Sequence, residues 1–198
     1  MKKVILFSSL TEVNREEITS LLFLNEIENK SFAFMPSDGI ANCKQEYIDT
    51  WQDMAQNFNA DFVVVDNLAE NTEEQINKLK NSNVLMISGG NTFKLLDNLR
   101  KSGLDEAIRA FTHKENFILC GYSAGALVLT PSIEICNLPK YDENTVGITD
   151  LAGLQVVDFE IFPHYRPEDE KFFDDYVKTT KRQVKTITND GFIDLDIS

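Results

Sequence analysis

A serine flanked by glycines is the clearest chemical feature of the sequence. Ser123 lies at the centre of Gly121-Tyr122-Ser123-Ala124-Gly125, after the apolar run 117–120 and before the helix-forming residues 126–129. This order predicts a strand, a tight turn and a helix, with the serine hydroxyl exposed at a sharp corner. The alternative is a simple helix start with Ser123 as its N-cap. Because a strand leads into the motif, we expect Ser123 to be the nucleophile of a serine hydrolase.

A second glycine turn indicates where an oxyanion could be bound. Residues 89–91 follow the apolar run 84–87 and precede a helical pattern. Backbone N–H groups at the start of a helix can stabilise negative charge. We expect the amide of Ala124 to be one donor, and the amide of Gly90 or Asn91 to be the other. The turn matches neither common phosphate-binding glycine pattern, which disfavours a nucleotide loop.

The sequence offers two histidines as a general base. His113 precedes the strand that leads to Ser123, so it belongs to the opposite edge of the sheet and is expected on the surface. His164 lies in Phe162-Pro163-His164-Tyr165, a loop that follows a strand-like run and can face the serine. By elimination, His164 is the expected base.

The elements that must position these residues alternate along the first two thirds of the chain. Runs rich in β-branched and aromatic residues are separated by patterns with helical spacing, and Gly103 provides a stop for the fourth helix. This alternation predicts an α/β fold with a doubly wound, mostly parallel sheet and helices on both faces. The predicted strands are 4–8, 31–35, 62–65, 84–88 and 117–121, and the predicted helices are 16–24, 47–58, 72–80 and 92–101.

Prolines interrupt the remainder of the chain, where we expect loops and antiparallel edge strands. Strand-like runs lie at 133–136 and 154–162, and a last helix is expected at 168–179. Segments 184–188 and 192–197 are expected to form a closing hairpin around Asn189-Asp190-Gly191. Since no linker or repeat divides the sequence, we expect one domain over residues 1–198.

Composition excludes several classes of partner. The 198 residues include 19 basic and 32 acidic side chains, a formal charge of −13, which disfavours nucleic acid and anionic membrane surfaces. No apolar run is long enough to span a membrane, and the first one ends too early for a signal peptide, so we expect a cytoplasmic protein. Cys43, Cys120 and Cys136 are an odd number of cysteines without CxxC spacing or clustered histidines. We therefore expect reduced thiols and no metal site.

Three blocks of sequence resemble peptidase family S51, the family of aspartyl dipeptidase (peptidase E) and cyanophycinase. They are GGNTFKLL at 89–96, GYSAGALVL at 121–129 and FPHY at 162–165. The resemblance implies a class I glutamine amidotransferase-like sandwich in which a serine replaces the nucleophilic cysteine. It also implies hydrolysis of short peptides through an acyl-enzyme on Ser123, with His164 as base and without metal or cofactor. Both a monomer and a homodimer are compatible with it.

The third member of a triad is where the sequence departs from the family. Dipeptidase relatives carry an Asp soon after an Asn-Asp-Met-Pro stretch, whereas this chain reads Asn137-Leu138-Pro139. Asp142, in the loop between the serine and the histidine, is the expected carboxylate. Glu134 and Glu143 are the alternatives.

The basis of substrate preference is similarly open. Aspartyl dipeptidases of the family hold the acidic side chain of the substrate with an arginine-containing stretch after the histidine, which Arg166 and the following 167–170 do not reproduce. Arg166 is either a carboxylate-binding residue or a solvated loop side chain. The sequence is thus compatible with an Asp-X dipeptidase, with an amidase or esterase that uses the same triad, or with a non-catalytic binding module.

Overall fold

Eight strands and seven α-helices are formed within residues 1–139 and 141–197, the part of the chain that the computed structural model describes. The strands are β1 (Lys2–Phe7), β2 (Ser31–Met35), β3 (Asp61–Val64), β4 (Val84–Ile87), β5 (Phe117–Tyr122), β6 (Glu160–Phe162), β7 (Val184–Thr186) and β8 (Phe192–Asp196). The helices are α1 (Arg15–Phe23), α2 (Gln45–Asn57), α3 (Thr72–Asn81), α4 (Thr92–Ser102), α5 (Leu104–Phe111), α6 (Ala124–Val128) and α7 (Glu170–Thr179).

The central sheet has six strands in the order β3-β2-β4-β5-β1-β8. All neighbours pair in parallel except β8, which runs antiparallel to β1 at the edge. β6 and β7 form a separate two-stranded parallel sheet. The predicted α/β fold with a mostly parallel sheet is therefore confirmed.

Alternating side chains of the strands supply two hydrophobic cores, one on each face of the sheet. In β1, Val4 and Leu6 join the core that includes buried residues of α3, α4, α5 and α6. Ile5 and Phe7 point to the opposite face and pack with residues of α1 and α2. Because both faces are covered, the central strands β4 and β5 are apolar throughout, whereas the edge strand β8 alternates apolar residues with aspartates.

Local capping residues determine where the helices next to the site begin and end. The side chain of Asn91 caps α4 by accepting a hydrogen bond from the amide of Lys94. Gly103 adopts a left-handed conformation (φ +69°) that ends α4, as predicted, and it also directly precedes α5. α5 was not predicted, because one glycine serves both as the stop of one helix and as the start of the next.

The last third of the chain corrects several predictions. β7 and β8 do not form a hairpin, since β7 pairs in parallel with β6 and β8 pairs with β1. Instead of the predicted strands, residues 133–136 contribute to a 3₁₀ helix (Glu134–Asn137), and only the end of 154–162 becomes β6. An ion pair at the edge of this sheet favours the arrangement, because the buried carboxylate of Glu160 in β6 accepts from the partly exposed guanidinium of Arg182, two residues before β7, at 3.0 Å. The pattern of apolar residues and turn residues along the sequence could not predict the pairing of β6 with β7 or of β8 with β1, because these strands are far apart in the chain.

No helix in residues 1–139 and 141–197 combines the length and the apolar character needed to cross a bilayer.

Candidate active site

Ser123 stands at a strained corner between β5 and α6. Its backbone has φ +50° and ψ −116°, a conformation that residues other than glycine rarely adopt. Such strain is typical of the strand-to-helix turn that exposes a nucleophile. The corner is held from the neighbouring strand, because the amide of Ser123 donates a hydrogen bond to the carbonyl oxygen of Phe7 at 2.9 Å.

The two flanking glycines are required by close backbone contacts. A Cβ atom on Gly121 would lie 2.4 Å from the carbonyl oxygen of Gly125, and one on Gly125 would lie 2.1 Å from the carbonyl oxygen of Ile87. Neither contact is compatible with a side chain, since real Cβ atoms do not approach oxygen so closely. Gly121 therefore lets β5 pack against the start of α6, and Gly125 lets α6 pack onto the end of β4.

The second glycine turn packs directly beside the serine. A Cβ on Gly89 would lie 3.1 Å from the Cβ of Ser123, and Gly90 adopts φ +152° with no room for a side chain next to Ser37. Gly90, Asn91 and Ser123 line the same cavity. Ala124 is the first residue of α6 and follows the serine. The predicted oxyanion residues thus lie at one edge of the sheet.

His164 meets Ser123 from the end of β6. Its Nε2 lies 3.0 Å from the Oγ of Ser123, within hydrogen-bonding distance. The residue has φ +55°, and its amide donates to the Oγ of Ser8 at 2.9 Å. By contrast, His113 is exposed in the turn after α5, before β5 begins. Of the two histidines, His164 is the one that the fold brings to the serine.

The other nitrogen of the imidazole is engaged by Asn189, a residue that sequence reasoning assigned only to a turn. The Nδ1 of His164 lies 2.7 Å from the Oδ1 of Asn189. Because an amide oxygen only accepts hydrogen bonds, Nδ1 carries the proton in this arrangement and Nε2 is free to accept from the serine hydroxyl. The contacts join Ser123, His164 and Asn189 in one chain of hydrogen bonds.

Asp142 was predicted to orient the histidine, and the structure corrects this prediction. Its Oδ2 accepts from the amide and from the hydroxyl of Thr92, each at 2.7 Å. The carboxylate therefore lies at the N-terminus of α4. It accepts from an amide that has no partner within the helix, and its negative charge interacts favourably with the positive end of the helix dipole.

The two alternatives to Asp142 do not occupy the position on Nδ1 either. Glu134 is exposed in the 3₁₀ helix, and the backbone oxygen of Glu143 accepts from the side chain of Asn91 at 2.9 Å. Asp142 and the backbone of Glu143 thus support the second glycine turn and the start of α4 rather than the imidazole.

A cavity of about 730 Å³ opens beside Ser123 and His164. Its aromatic wall includes Tyr47, Trp51 and Tyr122, and burial raises the pKa of Tyr122 to about 12, so this hydroxyl stays protonated at neutral pH. The charged side chains that line it are Arg15, Asp38, Lys44 and Lys94. Three cations and one carboxylate contrast with the −13 charge of the whole chain.

Arg166 does not line this cavity. It borders a smaller depression of about 330 Å³ on another side of His164, together with Tyr141, Glu168 and Asp169. Its guanidinium lies 3.4 Å from the carboxylate of Glu168, and both side chains are about two-thirds exposed. Of the two interpretations left open for Arg166, its position favours the solvated loop side chain.

Among residues 1–139 and 141–197, no group of three or more His, Cys, Asp or Glu side chains is arranged to hold a metal ion. The three cysteines are free thiols, of which Cys43 lines the main cavity.

The sheet and its corner define a class I glutamine amidotransferase-like α/β fold. The model of peptidase family S51 matches residues 4–193. The chain belongs to this family.

Individual relatives agree with this placement. An uncharacterized peptidase of Pasteurella multocida is 29% identical over 165 residues, which cover 83% of this chain and 78% of the relative. Peptidase E of a Nostoc species is 29% identical over 170 residues, covering 83% and 66% of the two chains. A crystal structure from Listeria monocytogenes, provisionally assigned as a peptidase E, matches over the full length of both chains with a TM-score of 0.76 and 23% identity. The last match supports the fold alone.

The contact at Gly125 generates a prediction about stability. Gly125→Ala forces a Cβ against the backbone oxygen of Ile87, so we expect the free energy of unfolding to fall by about 3–5 kcal/mol in urea titrations. Gly147→Ala is the matched control, since Gly147 has φ +70° but no atom within 4 Å of the added Cβ. It is expected to lose only about 1–2 kcal/mol. Equal losses in the two variants would contradict the packing argument.

The contact at Asn189 generates a second prediction. Asn189→Ala leaves Nδ1 without its acceptor, so we expect reaction of Ser123 with a fluorophosphonate probe to slow by about 10- to 100-fold. Asn189→Asp keeps an acceptor and adds a charge that stabilises the imidazolium, so its labelling rate is expected to equal or exceed that of the wild type. Labelling that is as fast in Asn189→Ala as in the wild type would show that Asn189 does not orient the imidazole.

Proposed function

We propose that the protein is a serine peptidase that cleaves short peptides through an acyl-enzyme on Ser123. The observation that carries the proposal is the hydrogen-bonded series Ser123–His164–Asn189, at 3.0 Å and 2.7 Å, on a strained corner beside a cavity. A nucleophile, a base within hydrogen-bonding reach and a third group that orients the base are the elements of this chemistry.

The contacts support an ordinary two-stage mechanism. The Oγ of Ser123 attacks the scissile carbonyl carbon while the Nε2 of His164 takes the hydroxyl proton. The resulting oxyanion is stabilised by the amide of Ala124 and by that of Gly90 or Asn91. His164 then gives its proton to the leaving amine as the C–N bond breaks. Water, deprotonated by the same nitrogen, releases the acid and restores the serine.

Asn189 fixes the orientation and tautomer of the imidazole without a formal charge. The imidazolium formed in each stage is then stabilised by an amide dipole rather than by a carboxylate. Triads with asparagine in this position are known among cysteine peptidases, so a neutral third member is compatible with acyl transfer.

The size of the cavity supports a short substrate. Its volume of about 730 Å³ lies in the range of pockets that enclose small molecules, roughly 300–1,000 Å³. We therefore propose dipeptides or similarly short peptides as substrates.

The charges of the cavity support an acidic residue on the acyl side of the cleaved bond. Lys94 is 3.3 Å from Asp38, and Lys44 is 3.5 Å from Glu46. Arg15 lines the cavity at the start of α1 and forms no ion pair with the described residues. A cation at a helix N-terminus is electrostatically unfavourable, which is consistent with a role in binding. We propose that Arg15, rather than Arg166, pairs with a carboxylate of the substrate.

The proposed nucleophile and base are tested by substitution. Ser123→Ala and His164→Ala remove the attacking oxygen and its base, so dipeptide cleavage is expected to fall at least about a thousandfold. Circular dichroism spectra should match the wild type. His113→Ala is the control, because this exposed histidine lies away from the site, and it should retain full activity. Undiminished turnover by Ser123→Ala would refute the proposal.

The same assay separates the alternative functions. Cleavage of simple esters or amides without cleavage of any dipeptide would indicate an amidase or esterase. Ligand binding with no turnover of any substrate would indicate a non-catalytic module.

The proposed role of Arg15 is tested by the kinetics of matched dipeptides. In Arg15→Ala we expect kcat/KM for Asp-X substrates to fall by about 10- to 100-fold, the effect of losing one charge-assisted hydrogen bond, with little change for neutral dipeptides. Arg109→Ala removes the same charge from α5, where Arg109 pairs with Glu106 at 2.9 Å, and should change neither value. A selective loss in Arg166→Ala and not in Arg15→Ala would assign the carboxylate to Arg166 instead.

A further inference from the structure

The end of β1 and the segment that follows it contact the backbone around all three members of the hydrogen-bonded series. The carbonyl oxygen of Phe7 accepts from the amide of Ser123. The next side chain, Ser8, contacts His164, and Asn14 contacts the turn that carries Asn189. The segments that carry Ser123, His164 and Asn189 are thus all hydrogen-bonded to residues 7–14.

The hydroxyl of Ser8 donates one hydrogen bond and accepts another. The residue is fully buried, its Oγ donates to the carbonyl oxygen of Ile187 at 3.0 Å, and it accepts from the amide of His164 at 2.9 Å. Ile187 follows β7 and lies two residues before Asn189. One hydroxyl therefore links the backbone at His164 to the segment that leads to Asn189.

The backbone at His164 needs such support. A positive φ in a residue other than glycine costs on the order of 1–3 kcal/mol and persists only where surrounding contacts impose it. The amide that donates a hydrogen bond to Ser8 belongs to this same residue, His164. Together with the hydrogen bond from the amide of Tyr165 to the carbonyl oxygen of Ile187, this contact holds the strained backbone in the conformation that directs the imidazole to Ser123.

Asn14 is the corresponding contact for Asn189. Its side chain is almost fully buried, its Nδ2 donates to the carbonyl oxygens of Ser9 at 2.9 Å and of Asp190 at 3.2 Å, and its Oδ1 accepts from the amide of Thr11. Asp190 is adjacent to Asn189, which lies in an exposed turn. Asn14 thus ties an otherwise solvent-facing turn to a rigid part of the fold.

We propose that Ser8 and Asn14 are positioning residues that hold His164 and Asn189 in line with Ser123. Neither side chain takes part in bond making. The hydroxyl of Ser8 donates its hydrogen bond to the carbonyl oxygen of Ile187, and the side chain of Asn14 is hydrogen-bonded to backbone groups. The inference rests on the proposed function for its kinetic readout, whereas its structural readout is independent of any activity.

The test uses two variants, each with a matched control. Ser8→Ala removes the linking hydroxyl, and Ser82→Ala removes a similarly buried hydroxyl that bonds the backbone of Lys78 in α3. Asn14→Asp keeps the acceptor and deletes both donated hydrogen bonds. Asn25→Asp does the same at a residue whose Nδ2 also donates to two backbone carbonyls and whose Oδ1 also accepts from one amide.

The structural readout is the imidazole signal of His164 in NMR spectra, which is readily assigned because the chain has two histidines and His113 is an internal reference. The kinetic readout is dipeptide hydrolysis. In Ser8→Ala and Asn14→Asp we expect the His164 signals to shift and kcat to fall by about 10- to 100-fold, with KM within about twofold of the wild type. In Ser82→Ala and Asn25→Asp, both readouts should match the wild type even where the free energy of unfolding falls.

The outcomes are distinguishable. If both site variants lose stability like their controls and leave the His164 signals and kcat unchanged, the two residues are merely structural and the inference is overturned. If the His164 signals shift in both site variants but the wild type hydrolyses no substrate, the inference stands and the proposed function fails. Should Ser8→Ala not fold, Ser8→Thr, which retains the hydroxyl, is expected to keep wild-type signals, and altered signals there would count against the proposal.

Discussion

The parallel register between β1 and β5 is the constraint on which the site depends. It places Phe7 beside Tyr122, so that the next amide along, that of Ser123, still bonds to β1 after the strand has ended. A slip of one residue would exchange the two faces of β1 and remove the backbone acceptor from beneath the corner. The register is secured because both faces of β1 are buried in separate cores.

A second, smaller sheet provides the remainder of the site. The parallel pairing of β6 and β7 brings His164 and Asn189, which follow these strands, to the same edge. Buried Glu160 strengthens this pairing through Arg182 and through the hydroxyl of Tyr176 in α7. Removing one of these partners is costly, since it leaves the buried carboxylate of Glu160 less well compensated. The site therefore combines a corner on the main sheet with two loops of the minor sheet.

The sequence was sufficient for the parts of the site that depend on local pattern. The five parallel strands of the main sheet and the corner at Ser123 follow from runs of apolar residues and from glycine spacing, and His164 followed by elimination. Asn189 could not be found in this way, because Asn-Asp-Gly is a turn signal and its contact with His164 depends on the pairing of two short, distant strands. Asp142 had a suitable type and order in the chain, but the amide and hydroxyl of Thr92 take up its carboxylate. Arg15 gave no sequence signal, since only the fold brings the start of α1 to the cavity.

The central claim is that Ser123, activated by His164, forms a covalent acyl intermediate. The most direct measurement is intact-mass spectrometry of the protein after brief reaction with a p-nitrophenyl ester and an acid quench, followed by peptide mapping. The account predicts one added acyl group per chain, located on Ser123, and none in the His164→Ala variant. Acylation at another residue, or equal acylation when His164 is replaced, would contradict it.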